Sequence, residues 1–156
     1  MLDFDRILHP TDFSEQANHA LRYACGLCAQ YGAELHLLHV VPEPALLDAG
    51  GVLDGFTSAQ AWTDALAEHA EQKLLTMPDP VWAEGKTVIR SVSQGATFVE
   101  IVRYARDQAI ALIVIGTHGR TGLSHMLLGS VAERVVRKAP CPVLTVRPPD
   151  HHFTMP

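Results

Sequence analysis

Residues 110–130 limit the choice of fold more than any other part of the chain. Six apolar residues, 110–115, run without interruption into Gly116; glycine recurs at 119 and 129, and Ser130 opens a stretch of helical character to Lys138. An unbroken run rich in Ile and Val suits a strand covered on both faces, the habit of parallel sheets, whose strands need crossover helices. Glycines at a strand-to-helix turn let the backbone approach a ligand closely. The helix N-terminus then offers unpaired N–H groups and the positive end of a dipole. The segment is a candidate anion site, phosphate foremost, with Ser130 adding a hydroxyl donor. The alternative is a tight turn whose glycines serve chain geometry alone.

Strand and helix signals alternate through the rest of the chain. Arg6–Pro10 reads as a short strand, followed by a turn in which Ser14 is a candidate N-cap. Ala17, Ala20, Leu21, Ala24, Leu27, Cys28 and Tyr31 recur at helical spacing, and Gly32 ends that helix. A second strand over 35–41 stops at Pro42. The composition of 42–56 then shifts to Pro, Gly, Asp and Ala, a long loop placed to lie over a site. A helix starting at Thr57 or Ser58 carries Trp62, Ala65, Leu66, Ala70, Leu74 and Met77 on its inner face and ends in the proline-bearing segment 77–80. The third strand is 86–92. Gly95 and Ala96 open a helix with apolar Phe98, Ile101, Val102, Ala105 and Ala109. After the central segment and a helix over 131–138, Pro140 and Pro142 precede a fifth strand, Val143–Val146.

This alternation predicts an α/β fold: a single open five-stranded parallel sheet with helices on both faces. Ligands of such sheets bind beyond the carboxyl ends of the strands, where the strand order reverses. If strands one and four flank that point, Thr11 and Asp12 face the Gly116 loop. The sequence alone does not fix the strand order.

At 156 residues and 47% hydrophobic content the chain fits one domain, expected over 1–149, with a polar, disordered tail over 150–156. A net charge of -5 argues against an electrostatic nucleic-acid binder. The basic residues Arg103, Arg106, Arg134, Arg137 and Lys138 fall late in helices, where cations complement the dipole. No apolar stretch approaches the ~20 residues that span a bilayer, and the first residues lack the basic and apolar regions of a signal peptide, so the expectation is a soluble, cytoplasmic protein. Three cysteines make no disulfide framework. Cys25 and Cys28 have redox spacing but lie late in a helix, where core or surface roles are favoured over reactivity. His36 and His39 fall on opposite faces of a strand and cannot easily share a metal ion. His151 and His152 belong to the solvated tail.

Neither a G-x-x-x-x-G-K-[ST] loop nor a strand-borne G-x-G-x-x-G is present. A phosphate site therefore depends on backbone N–H groups and Ser130 instead of a loop lysine. Divalent metal, if any, arrives with the phosphates, and no protein metal cage is expected. Asp12 can accept a hydrogen bond from an exocyclic amine or a sugar hydroxyl; its other role is to cap the following helix, and the two can coexist.

The segment 6–14, the strand 37–41, the run 114–122 through Gly129 and Ser130, and 139–143 together resemble the universal stress protein family over almost the whole chain, from Asp5 to Arg147. Gly116, two residues, Gly119, nine residues, Gly129 and Ser130 is similar to the signature of the ATP-binding branch of that family. The resemblance implies a Rossmann-like sheet of order 3-2-1-4-5, ATP in the crevice between strands one and four, and a homodimer through Val143–Val146. It places the adenine-contacting aspartate at Asp12, flanked by Pro10 and Thr11, and the backbone contact to the base at Val40. Phosphate and ribose contacts fall on Gly116, Gly119, Gly129 and Ser130, with His118 and Arg120 inside the loop and Val131 after it.

The function implied is an ATP-binding regulatory or stress-response module with at most slow hydrolysis, no catalytic residue and an unspecified protein partner. The alternatives are an enzyme on the same scaffold that transfers adenylyl or phosphoryl groups, and a structural dimer with an empty crevice.

Overall fold

The computed structural model describes residues 3–43, 59–117 and 129–148. The elements run β1 (Arg6–Pro10), α1 (Glu15–Tyr31), β2 (Glu34–Val41), α2 (Ala59–Leu75), α3 (Pro80–Ala83), β3 (Val88–Gln94), α4 (Thr97–Asp107), β4 (Leu112–Gly116), α5 (Ser130–Lys138) and β5 (Val143–Val146). The strands form one sheet in the order β3-β2-β1-β4-β5, every neighbouring pair parallel. This is the expected architecture, including the strand order that only the family resemblance supplied.

The central strands are apolar on both sides because both faces are covered. On one face Ile7, Leu35, Leu37, Leu112 and Val114 pack with Ala20, Ala24 and Cys28 of α1 and Leu74 of α2. On the other, Leu8, Leu38, Ile113 and Ile115 pack with Ile101 and Ala105 of α4 and Ala132 and Val135 of α5. Val88–Gln94 forms one edge, and its residues are only partly covered. A fully buried Leu or Ile contributes roughly 1.5–3 kcal/mol relative to an exposed one, so these two layers account for most of what holds the helices to the sheet.

Local signals set the helix ends. Ser14 caps α1, its Oγ accepting the Ala17 N–H at 3.2 Å, and Gly32 ends the helix in the left-handed region at φ 69. The N–H groups of Gly32 and Ala33 both donate to the Cys28 carbonyl.

Several boundaries differ from expectation. The segment 77–80 not only stops α2 but starts α3: Asp79 accepts the Val81 N–H at 2.8 Å, and Pro80 occupies the first turn, where its missing N–H costs nothing. The third strand begins at Val88 instead of 86, because the Lys86 N–H is held by the Ala83 carbonyl in the turn after α3. Helix α4 stops at Asp107, so Ala109 lies beyond it. Ala109 takes φ 48, and the N–H groups of Ala109 and Ile110 return to the carbonyls of Arg106 and Ala105. That is a Schellman closure with alanine in the position glycine usually fills. Tyr31, expected on the inner stripe of α1, is 46% exposed, and Cys25 takes a buried place instead. The expected helix start at Thr57 or Ser58, most of the 42–56 loop and the 150–156 tail lie outside the described residues.

Candidate functional site

The sheet opens between β1 and β4. Their ladder pairs Ile7 with Leu112 and Leu8 with Ile113, and no later pair is formed, although both strands continue. The next β1 residue, His9, is wholly buried and sends its Nδ1 to the Val114 carbonyl at 2.9 Å. A carbonyl can only accept, so Nδ1 carries the proton. Burial lowers the His9 pKa from 6.5 to about 4, partly offset by that hydrogen bond and by Asp12, and the ring is neutral near pH 7. A side chain thus satisfies a backbone acceptor that a continued ladder would have used. Pro10, which has no N–H, follows where no ladder donor is needed.

Beyond Pro10 the chain turns sharply. The Thr11 N–H reaches the Leu38 carbonyl at 2.9 Å, the Phe13 N–H donates to Thr11 Oγ1 at 3.0 Å, and the Ser14 N–H donates to Asp12 Oδ1 at 3.0 Å. Phe13 takes φ 64, an unusual conformation for an aromatic residue that costs on the order of 1–3 kcal/mol and persists only where the surroundings impose it. Its ring stacks on His39 at 4.5 Å between centroids, and His39 Nδ1 donates to the Thr11 carbonyl at 2.8 Å.

On the other side of the opening, Thr117 follows β4. Its N–H donates to the Val146 carbonyl at 2.9 Å, and its own carbonyl accepts the Gly129 N–H at 2.6 Å. The two ends of segment 118–128 are therefore joined, and Gly129 leads directly into α5. Among the described residues no side chain caps this helix, and its first main-chain bond runs from the Glu133 N–H to the Gly129 carbonyl. The N–H groups of Ser130, Val131 and Ala132 precede that bond, so they are the donors this end of α5 offers. The Gly129 N–H, already engaged, is not among them.

A cavity of about 660 Å³ joins these parts, well within the range of small-molecule sites. Of the residues expected from the sequence, Pro10, Thr11, Asp12, Val40, Gly116, Gly129, Ser130 and Val131 all line it. His118, Gly119 and Arg120 lie outside the described residues. The helix cap expected as the other role of Asp12 falls to Ser14 instead; Asp12 holds the turn before it through the Ser14 N–H and lines the cavity.

The structure adds a wall that sequence reasoning missed. Trp62, Leu66, His69, Ala70 and Lys73 of α2 also line the cavity. Trp62, Leu66 and Ala70 had been assigned to the inner face of this helix. His69 and Lys73 had not, although the spacing 62, 66, 69, 73 places them on the same stripe. The remaining candidates, His39 excepted, stay apart from the cavity. Burial raises the Cys25 and Cys28 thiols to about 11 and about 12, so neither is a nucleophile near neutral pH. His36 is buried and bonded through Nδ1 to the Tyr104 hydroxyl at 3.0 Å, while His39 faces the cavity.

Comparison with known proteins places this arrangement. The profile of the Universal stress protein family matches residues 3–147. Universal stress protein MJ0577 of Methanocaldococcus jannaschii is 32% identical over 154 residues, covering 92% of this chain and 95% of its own. Its solved structure superposes with a TM-score of 0.79 at 31% identity, covering 95% and 99% of the two chains. Universal stress protein YxiE of Bacillus subtilis is 30% identical over 148 residues, covering 92% of this chain and 99% of its own. The Archaeoglobus fulgidus universal stress protein in complex with dAMP shares the fold at 22% identity and a TM-score of 0.58, over 93% and 98% of the chains. A five-stranded sheet of order 3-2-1-4-5, opened at its switch point beside the N-terminus of α5, is thus found in a chain that belongs to the universal stress protein family.

Proposed function

We propose that the cavity binds ATP and that the protein is a nucleotide-dependent regulatory module. One observation carries this reading: the N-terminus of α5, capped by no described side chain and with Ser130 at its first turn, shares a single cavity with Asp12. The first is suited to phosphate oxygens and the second to an amine or hydroxyl donor of the nucleoside. Gly129 has φ -65 and ψ 152, a conformation open to any residue. Backbone freedom is therefore not the reason for glycine at this position, and close approach of a ligand is. Mg²⁺ would enter coordinated to the phosphates.

Asp12 is the one carboxylate among the described lining residues, and its Oδ1 already accepts the Ser14 N–H. A group so engaged is a poor general base, which is why hydrolysis would be slow. The twin-paired dimer expected from the sequence fits the edge strand β5, where Leu144 is 38% exposed and nothing in the sheet follows Val146. Among the described residues no helix is long and apolar enough to cross a membrane.

Mass spectrometry of nucleotide released from freshly purified protein, followed by calorimetric titration with ATP, tests the proposal. Wild type should bind ATP, and Gly129→Val, with its folded fraction confirmed by circular dichroism, should not. Normal ATP affinity in folded Gly129→Val would sink the phosphate-site reading.

A further inference from the structure

The cavity has a second cationic feature, remote from α5. Lys73 lies in the last turn of α2, where a lysine ordinarily interacts with the terminal carbonyls. Here that work is done by another residue. Arg90 of β3 sends its Nε to the carbonyls of Leu74 and Met77 at 2.8 and 3.0 Å. The Lys73 ammonium instead rests 5.1 Å from the centre of the Phe13 ring, on the cavity wall. Phe13 is held in its strained conformation by the His39 stack beside it. His69, one turn earlier on α2, lines the same wall.

This wall and the α5 N-terminus stand on opposite sides of the opening. Helix α2 packs on β3 and β2, and α5 on β5, with β1 and β4 between them in the sheet. Counted along the sheet, three to four strand spacings, about 14–19 Å, separate the strands on which these two helices pack, and the helices lie on opposite faces. A polyphosphate chain gathered at α5 would leave Lys73 facing another part of the ligand.

We infer that Lys73, assisted by His69, forms a second anion-recognising subsite, so that the cavity selects nucleotides carrying a phosphate on the ribose away from the 5′ chain. A cation parked on an aromatic face is held near the site at little cost, because an exposed cation–π contact is weak and is readily exchanged for a charged oxygen. The inference rests on the nucleotide reading above and deepens it. It also supplies from a helix the lysine that the glycine loop lacks.

Two probes with the same number of phosphates separate the possibilities: adenosine 3′,5′-bisphosphate, with its phosphates apart, and ADP, with both on one end. Calorimetry on the full chain should show wild type binding the bisphosphate at least as tightly as ADP. Lys73→Met keeps an unbranched stem over Phe13. It should weaken the bisphosphate about tenfold or more, the value of one charge-assisted contact, while moving ADP less than about twofold. Lys73→Arg should restore most of the loss. An equal loss for both ligands would assign Lys73 to the 5′ chain, and no loss for either would make it a prop for Phe13; both results overturn the subsite. Failure of the underlying reading looks different, since neither probe would then bind wild type, and that result refutes both.

Discussion

The neutral, buried His9 gives this fold an acid sensitivity whose size can be worked out. The imidazole has a pKa near 4 in the folded protein against 6.5 when exposed, mainly because burial disfavours its charged form. Between those values the unfolded chain takes up a proton that the folded chain refuses, so stability falls as pH drops from about 6.5 toward 4. Each pKa unit is worth about 1.4 kcal/mol, which makes the whole contribution about 3 kcal/mol and the share lost by pH 4.5 about 2 kcal/mol. For a domain of this size that is a substantial fraction of total stability. His9→Asn is the useful comparison, because its amide can still donate to the Val114 carbonyl but cannot titrate. Urea unfolding of both proteins at pH 7 and pH 4.5 should show wild type losing about 2 kcal/mol more than the variant. His36, also lowered by burial, contributes with the same sign in both proteins and cancels in the difference. The His9 ring proton followed by NMR should stay at its neutral shift down to about pH 5. Titration of that ring near 6.5, or equal acid losses in a variant folded at pH 7, would refute the reasoning.

Four further outcomes are expected. Asp12→Ala should lower ATP affinity by on the order of tenfold to a hundredfold, the value of one hydrogen bond to a charged acceptor, and titration calorimetry reads it directly. A larger effect on melting than on affinity would mean that the Ser14 turn is the main role of the residue. Ser130→Ala should cost roughly 1–3 kcal/mol of binding, a partial loss beside the complete loss in Gly129→Val. Leu144→Glu should convert the dimer to monomer by light scattering at micromolar concentration, and a wild type monomeric with and without ATP would remove the β5 interface. Cys25 and Cys28 should resist a thiol reagent at pH 7.5 in the native protein and react at once in urea, since burial holds both thiols far above neutral pH.

The sheet and most of its helices were legible because strong local signals agreed with the tertiary outcome. The apolar run 110–115 suited a covered strand and supplied most of β4, Leu112–Gly116, Ser14 and Gly32 punctuated α1, and the prolines at 140 and 142 stopped α5. The errors fell where a local pattern had two meanings. Pro80 reads equally as the end of one helix and the first turn of another, and Ala109 continues an apolar stripe while sitting in a left-handed turn that favours glycine.

The strand order came through family resemblance, since no periodicity states which strands adjoin. Glycine, aspartate and serine at strand ends also serve turns and caps; the β1 and β4 sides of the cavity were readable from the glycine and serine run between a buried strand and a helix, together with the family resemblance. The α2 wall was not: His69 and Lys73 resemble an ordinary solvated helix face until the fold turns that stripe toward Phe13. His9 carried no signal at all. A histidine between Leu8 and Pro10 becomes informative only when the Val114 carbonyl is found without a ladder partner.

Helix α5 begins at the cavity and ends at Lys138, four residues before Pro142, and the chain then passes straight into the edge strand. Its nine residues form a stiff strut of about 13–14 Å. The root of the 118–128 segment is tied to the same strand through Thr117 and the Val146 carbonyl. If two chains pair through β5, the nucleotide and the partner pull on opposite ends of one short rod. Thermodynamic reciprocity then fixes the bargain: whatever factor ATP applies to the dimer dissociation constant, dimerisation must apply to the affinity for ATP. Measuring ATP binding above and below the dimer dissociation constant, and that constant with and without ATP, gives two numbers that must agree if the strut links the sites. Two factors of unity would show that the rod transmits nothing.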